Sequence, residues 1–182
     1  MTSAVVRASA PRDFPEILAL LKRKAEFDGG LALITATDAE IEAAIFGASP
    51  KCEVLVAERT GRVVAFASYF STFSTFLAAS CLWLDDLFVD PDERSRGIGA
   101  SLLSGLAALA LERDCARLEW TVSASNDRGI KFYERCGAQI RTASRLARLD
   151  RSALESLASG RASDTEQAVA ADVLTLCRQE PW

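Results

Sequence analysis

Apolar residues change their spacing along the chain, and the changes mark out strands and helices. The β-prone run "AVVRA" (4–8) predicts a first strand. Phe14, Ile17, Leu18 and Leu21 then recur at intervals of three and four, which predicts a helix through "PRDFPEILALLKRKAEF". Thr37 and Glu40 form a capping box at the start of a short helix, "TDAEIEAAIF". "CEVLVAE" and "RVVAFASYF" are β-rich and joined by "RTGR", whose Gly61 suits a tight hairpin turn. "SCLWLDDLFVD" predicts another strand, stopped by Pro91.

Residues 97–113 place Ile98, Leu102, Leu106, Leu109 and Ala110 on one side of a helix. "ARLEWTV" reads as a strand. "NDRGIKFYERCG" reads as a helix, with Asn126 near its start and Gly137 as its stop. "AQIRTASRLARL" is expected to supply one or two closing strands. The order predicts an α/β fold with a mixed sheet: hairpins in the middle and a crossover helix near the end. One domain is expected over 1–157. The remainder, 158–182, reads as a linker ("ASGRASD") and a terminal amphipathic helix with Val169, Val173 and Leu176 on one side. A packing or dimer-contact role is expected for that helix.

Composition narrows the function. The chain has 182 residues, 49% of them hydrophobic, enough to bury a core. A net charge of −4 argues against a nucleic-acid partner, which would need a basic face. Five cysteines, an odd number with no CxxC, fit reduced thiols in a cytoplasmic protein better than disulfides or zinc. "MTSAVVRASAPRDF" lacks a long apolar core, so no signal peptide is expected, and no run is long enough to enter a membrane. The chain contains no histidine. Ser-His-Asp and Cys-His arrangements are excluded, no metal is expected, and proton transfer must use carboxylates, tyrosine, cysteine, lysine or water.

One segment stands out chemically. "DERSRGIGASLLSGL" (92–106) sets Arg94, Arg96, Gly97 and Gly99 directly ahead of an apolar helix. A helix start exposes unpaired N–H groups and partial positive charge. Glycines remove side chains that would hold a phosphate away from those groups. The segment therefore reads as a pyrophosphate cradle; a loop of solvated arginines ahead of a buried helix satisfies the same spacing. No GxxxxGK[ST] run occurs, and GxGxxG fails because Leu102 stands where the third glycine belongs.

"RSRGIG" matches the R/Q-x-x-G-x-G/A signature, and with "LDDLFVDPDERSRGIGASLL" and "SASNDRGIKFYERCGA" the chain resembles the GNAT superfamily of N-acetyltransferases. The resemblance covers about residues 4–150. It is nearest to the spermidine/spermine and thialysine acetyltransferase branch, through "VRASAPRDFPEILALLKRKAEFD", "WLDDLFV" and "NDRGIKFYERCGA". It implies a mostly antiparallel central sheet flanked by helices, acetyl-coenzyme A as cosubstrate, a small-molecule amine as acceptor, and a homodimer. The branch departs from this chain where Asp85-Asp86 replaces Glu-Asp, where "GGLALI" replaces a more acidic loop, and where Phe27 replaces tyrosine. Fewer carboxylates are then available for a second or third cationic centre.

The resemblance also assigns residues. The loop at Arg94, Ser95, Arg96, Gly97, Ile98, Gly99 and Ala100 would hold the pyrophosphate. Leu87, Phe88 and Val89 would lie along the pantetheine arm. Asn126 would be a second anchor, although a helix N-cap explains it equally. Tyr133 would protonate the departing thiolate. Asp85 would attract the amine and accept its proton through water, with Asp86, Glu26 and Asp28 around the acceptor. Strand alternation alone does not choose between Asp85 and Asp86, because the family commonly has a β-bulge there. "SYFSTFSTF" (68–76) either lines the acceptor pocket or is a plain strand. Protein or peptide acetylation, and coenzyme binding without turnover, are the competing functions.

Overall fold

The structure is a computed structural model, and it describes residues 3–160. The first of two compact units runs to Ala138, and the second starts at Gln139. In the first unit the chain forms β1 (Val5–Ala8), α1 (Phe14–Asp28), α2 (Asp38–Phe46), β2 (Glu53–Arg59), β3 (Arg62–Ser74), β4 (Ala79–Val89), α3 (Ile98–Glu112), β5 (Leu118–Glu119) and α4 (Asp127–Arg135). The sheet order is β1-β2-β3-β4-β5, antiparallel except for the parallel β4–β5 pair. Antiparallel neighbours can be joined by tight turns; the parallel pair needs a crossover, which α3 supplies. Thr60 and Gly61 both have positive φ, 52° and 77°, the geometry of a two-residue hairpin turn that matches strand twist. Thr37 and Glu40 close the expected capping box on α2.

Both faces of the sheet are covered. Leu55, Ala57, Leu82 and Leu84 pack with Ile98, Leu102 and Leu106 of α3. Val54, Val56, Phe66 and Phe88 pack with Ile17 and Leu20 of α1. Burial on both sides is why β2 and the first half of β3 read as continuous apolar runs rather than an alternation. Each such large side chain contributes about 1.5–3 kcal/mol on leaving water. A buried carboxylate ties β1 to α1. Asp13 accepts two hydrogen bonds from Arg7, at 2.7 and 2.9 Å, and one from the Ala10 N–H at 2.7 Å. Those bonds, Arg7 first, hold its pKa down at about 2.

Two expectations fail. The strand expected at "ARLEWTV" pairs only through Leu118 and Glu119, because the chain then diverges from β4. "AQIRTASRLARL" forms no strand, and residues 141–149 are exposed throughout. Its apolar residues Ala138, Ile140, Ala143, Leu146, Ala147 and Leu149 divide equally between the two faces of an extended chain, so they give it no apolar face to bury. The second unit instead contains α5 (Arg151–Ala158), capped by Asp150, whose side chain accepts the Ala153 N–H at 3.0 Å. The terminal helix expected beyond residue 163 lies outside the described residues. Among the described residues, no helix is long and apolar enough to cross a membrane.

Candidate active site

An irregularity in β4 and an early end to β5 together open a cleft. In the β3–β4 ladder Ser68 faces Asp86 and Tyr69 faces Leu84, so Asp85 is the extra residue of a bulge. In a regular strand Leu84, Asp86 and Phe88 would share one face. Past the bulge the faces exchange: Leu87 and Val89 join Leu82 and Leu84 in the core under α3, whereas Phe88 joins the core under α1. Asp86 turns the same way as Phe88 and meets Lys24 of α1. The Ser68 hydroxyl accepts the Asp86 N–H at 3.2 Å, which steadies the irregular backbone.

Beyond Trp83, β4 has no neighbour on its β5 side among the described residues. The resulting cleft has a volume of about 880 Å³. Leu87, Phe88 and Val89 form one wall and Thr121, Val122 and Ser123 the other. The start of α3 closes one end. Gly97 is left-handed there, with φ 79°, a conformation that favours glycine. Ser95 is also left-handed, with φ 64°. The Ser101 N–H is the first to bond back, to the Gly97 carbonyl at 3.0 Å. The N–H groups of Ile98, Gly99 and Ala100 therefore have no acceptor within the helix, and all three residues line the cleft. Gly99 differs from Gly97: an added Cβ would meet Phe132 Cζ at 3.5 Å, an ordinary contact.

The two arginines of the signature are already engaged. Arg94 lines the cleft, but its Nε donates to the Val89 carbonyl at 3.0 Å. Its guanidinium lies 5.1 Å from the centre of the Phe27 ring and 5.3 Å from that of Phe88. Burial, with help from Arg128, lowers its pKa. Arg96 is outside the cleft lining and pairs with Glu93 at 3.2 Å, a carboxylate shared with Arg59 at 2.6 Å. Arg128 of α4, which the sequence reading did not single out, lines the cleft. Its place in the first turn after Asn126 was the available signal.

The acidic residues separate. Asp85 lines the cleft and has no ion-pair partner among the described residues. Partial burial first, then the charge of Asp86, raises its pKa; Lys24 and the Trp83 side chain oppose the rise. Asp86 is outside the lining and bonds Lys24 at 2.8 Å. Asp28 lines the cleft and bonds the same ammonium. Glu26 is exposed and outside the lining. Burial opposes the Lys24 charge, but hydrogen bonds to Asp28 and Asp86 outweigh it, so its pKa rises. Lys24 was missed in the sequence, where only its spacing from Asp28, four positions on, hints at a partner.

Tyr133 comes from α4 and is half-buried in the same cleft. Its ring centre lies 4.9 Å from that of Trp120 and 5.0 Å from that of Phe132. Burial pushes its pKa up, and Lys24 opposes the rise. Asn126 caps α4 by accepting the Gly129 N–H at 2.9 Å while also lining the cleft. The other tyrosine, Tyr69, is buried under α3, bonds Glu53 at 3.3 Å, and has its pKa pushed up to about 12. No residue of 68–76 lines the cleft; residues 68–74 belong to β3 and 75–76 to the turn that follows, with Phe73 and Phe76 exposed.

Known proteins resemble this chain. Thialysine N-epsilon-acetyltransferase of Bos taurus is 28% identical over 147 residues, which is 76% of this chain and 86% of that protein. Spermidine/spermine N(1)-acetyltransferase-like protein 1 of Homo sapiens is 30% identical over 140 residues, 73% of this chain and 20% of that protein. An integron cassette protein from V. cholerae superposes with a TM-score of 0.73 at 23% identity, covering 87% of this chain and 99% of that one; this likeness shows the fold. Residues 17–138 match the acetyltransferase (GNAT) family. With the mostly antiparallel sheet, the bulged β4 and the bare start of α3, that match makes this chain a member of the GNAT acetyltransferase family.

Proposed function

We propose that the cleft binds acetyl-coenzyme A and that the enzyme transfers the acetyl group directly to the primary amine of a small molecule, with both substrates bound together. The observation that carries this reading is that three bare N–H groups, an aspartate with no ion-pair partner among the described residues and a half-buried tyrosine line one cleft. The residues fit the coenzyme. The N–H groups of Ile98, Gly99 and Ala100 suit its pyrophosphate, reinforced by the helix dipole. Ser95 and Arg128 flank them. The free edge of β4 at Leu87, Phe88 and Val89 offers backbone donors and acceptors to the pantetheine amides, as a strand edge does to a peptide. When bound, the coenzyme supplies the acetyl group as a thioester.

The chain's own residues account for the protons. An alkyl ammonium has a pKa of about 10.4, so the acceptor arrives protonated and must lose a proton before it can attack. Transfer to an ordinary aspartate is uphill by about 6 pKa units, roughly 8 kcal/mol. The raised pKa of Asp85 narrows that gap, and a water between them carries the proton. Tyr133 stays protonated at neutral pH and can donate to the leaving thiolate; free phenol and thiol differ by about 1–2 units, and burial of Tyr133 widens that gap. Contacts with Trp120 and Phe132 hold the ring in the cleft lining.

A thiol-release assay with acetyl-coenzyme A and a panel of diamines, polyamines and lysine-like amino acids tests this. Amine-dependent release supports it. Coenzyme binding without release from any amine, or release only with peptides, contradicts it.

A further inference from the structure

Tyr133 stands on a thinly anchored helix: no residue of α4 is fully buried. Among the described residues the Tyr133 hydroxyl has no hydrogen-bond partner, unlike that of Tyr69, which is bonded to Glu53 at 3.3 Å. The aim of such a phenol is then set by what touches its ring. Two rings do. Phe132 belongs to the same helical turn, so it moves with α4 and cannot fix the tyrosine against the sheet. Trp120 follows directly on β5, and both it and Tyr133 pack against the core under α3. Its ring centre lies 4.9 Å from that of Tyr133, with the planes tilted at 49°. Tyr133 lines the cleft, and Trp120 does not.

We infer that Trp120 is a positioning residue for the proposed acid: its indole holds the Tyr133 ring between the core and the cleft, and it affects the reaction only through that ring. This inference rests on the proposed acetyl transfer and on Tyr133 as its acid. A proton donor displaced by about 1 Å can cost up to about 10²-fold in rate. Replacing the indole with a side chain that offers no flat face should therefore slow the reaction without loosening the coenzyme. Support of the cleft wall at 121–123 would instead weaken coenzyme binding, and would slow the reaction whether or not the hydroxyl is present.

A double-mutant cycle tests this. Thiol release with the best amine of the panel, and coenzyme affinity, are measured for Trp120→Leu, Trp120→Met and Trp120→Phe, each alone and combined with Tyr133→Phe. Rates are taken per coenzyme-binding site, so partial unfolding does not enter them. Trp120→Leu and Trp120→Met should each lower kcat about tenfold with the coenzyme Kd within about twofold of wild type, and Trp120→Phe should keep kcat within about threefold. In the Tyr133→Phe background the same changes should alter kcat by less than about twofold, because the donor they misplace is already gone. Unchanged kcat in both non-aromatic variants overturns the inference and leaves acetyl transfer standing. So does an equal loss in both backgrounds, a Trp120→Phe as slow as Trp120→Leu, or a coenzyme Kd that weakens in step with the rate. Unchanged turnover in Tyr133→Phe overturns the acid role and this inference together. Wild-type protein that binds coenzyme but releases no thiol with any amine overturns the transfer reading as well.

Discussion

Asp85 and Asp86 are neighbours in the chain, yet the bulge in β4 leaves Asp85 in the cleft with no ion pair among the described residues and delivers Asp86 to Lys24 at 2.8 Å. The two carboxylates are thereby given different work. Asp86 holds α1 against β4 and neutralises a lysine. In the proposed reaction Asp85 keeps its basicity for an incoming amine. Asp85→Asn should therefore lower kcat/KM by about 100-fold or more, within the usual range for removing a positioned base. Asp86→Asn should cost much less activity. Steady-state kinetics on both variants, with circular dichroism as a check on folding, separates these outcomes.

The pH dependence follows from the same pair. Asp85 must be ionised to accept a proton, and its pKa is raised by burial and by Asp86. Activity should therefore fall on the acid side at a pH above the ordinary aspartate value of about 3.9. Asp86→Asn removes one of the causes that raise it, so the acid limb should move to lower pH. Lys24→Gln removes an opposing charge, so the limb should move to higher pH. Profiles of log kcat/KM for the three proteins give both directions.

Tyr133→Phe removes the hydroxyl while leaving the ring against Trp120 and Phe132. Turnover should fall by about 10²-fold with coenzyme affinity within about twofold of wild type. Calorimetry and turnover, measured side by side, check this; unchanged turnover removes Tyr133 from the acid role.

The two glycines of the signature should respond differently. Gly97 is left-handed, so Gly97→Ala should cost about 1–2 kcal/mol and weaken coenzyme binding. Gly99→Ala places a methyl in ordinary contact with Phe132 and should be tolerated. Melting temperatures and coenzyme titrations of the two variants test the contrast.

Asp13 gives a stability signature remote from the cleft. Its folded pKa is held at about 2, below the unfolded value of about 3.9. As pH falls the unfolded chain takes up the proton first. The contribution, about 2 kcal/mol, is thus complete above the unfolded pKa and lost between about pH 4 and pH 2. Urea unfolding of wild type and Asp13→Asn should differ at pH 7 and converge in acid.

Local signals carried the sequence reading furthest. The Thr37–Glu40 box, the Thr60–Gly61 turn and the Gly97 helix start each depend on residues within a few positions, and each formed where expected. Lys24 escaped notice because its partner Asp86 is distant in sequence, and a charge near a helix end is ordinarily solvated. The bulge at Asp85 was raised only by the family resemblance; it leaves no local mark, since it depends on how β3 and β4 align. The end of β5 at Glu119 was hidden for a related reason: "WTV" has strand propensity, but its potential partner edge faces the cleft. Residues 138–149 misled by composition, with β-compatible residues but no two-residue period.

The most direct measurement is a crystal structure with acetyl-coenzyme A or coenzyme A bound. The pyrophosphate should accept hydrogen bonds from the N–H groups of Ile98, Gly99 and Ala100, with the thioester end running along Leu87–Val89 toward Asp85 and Tyr133. A nucleotide bound elsewhere on the chain, or a thioester pointing away from Asp85, contradicts the proposed site.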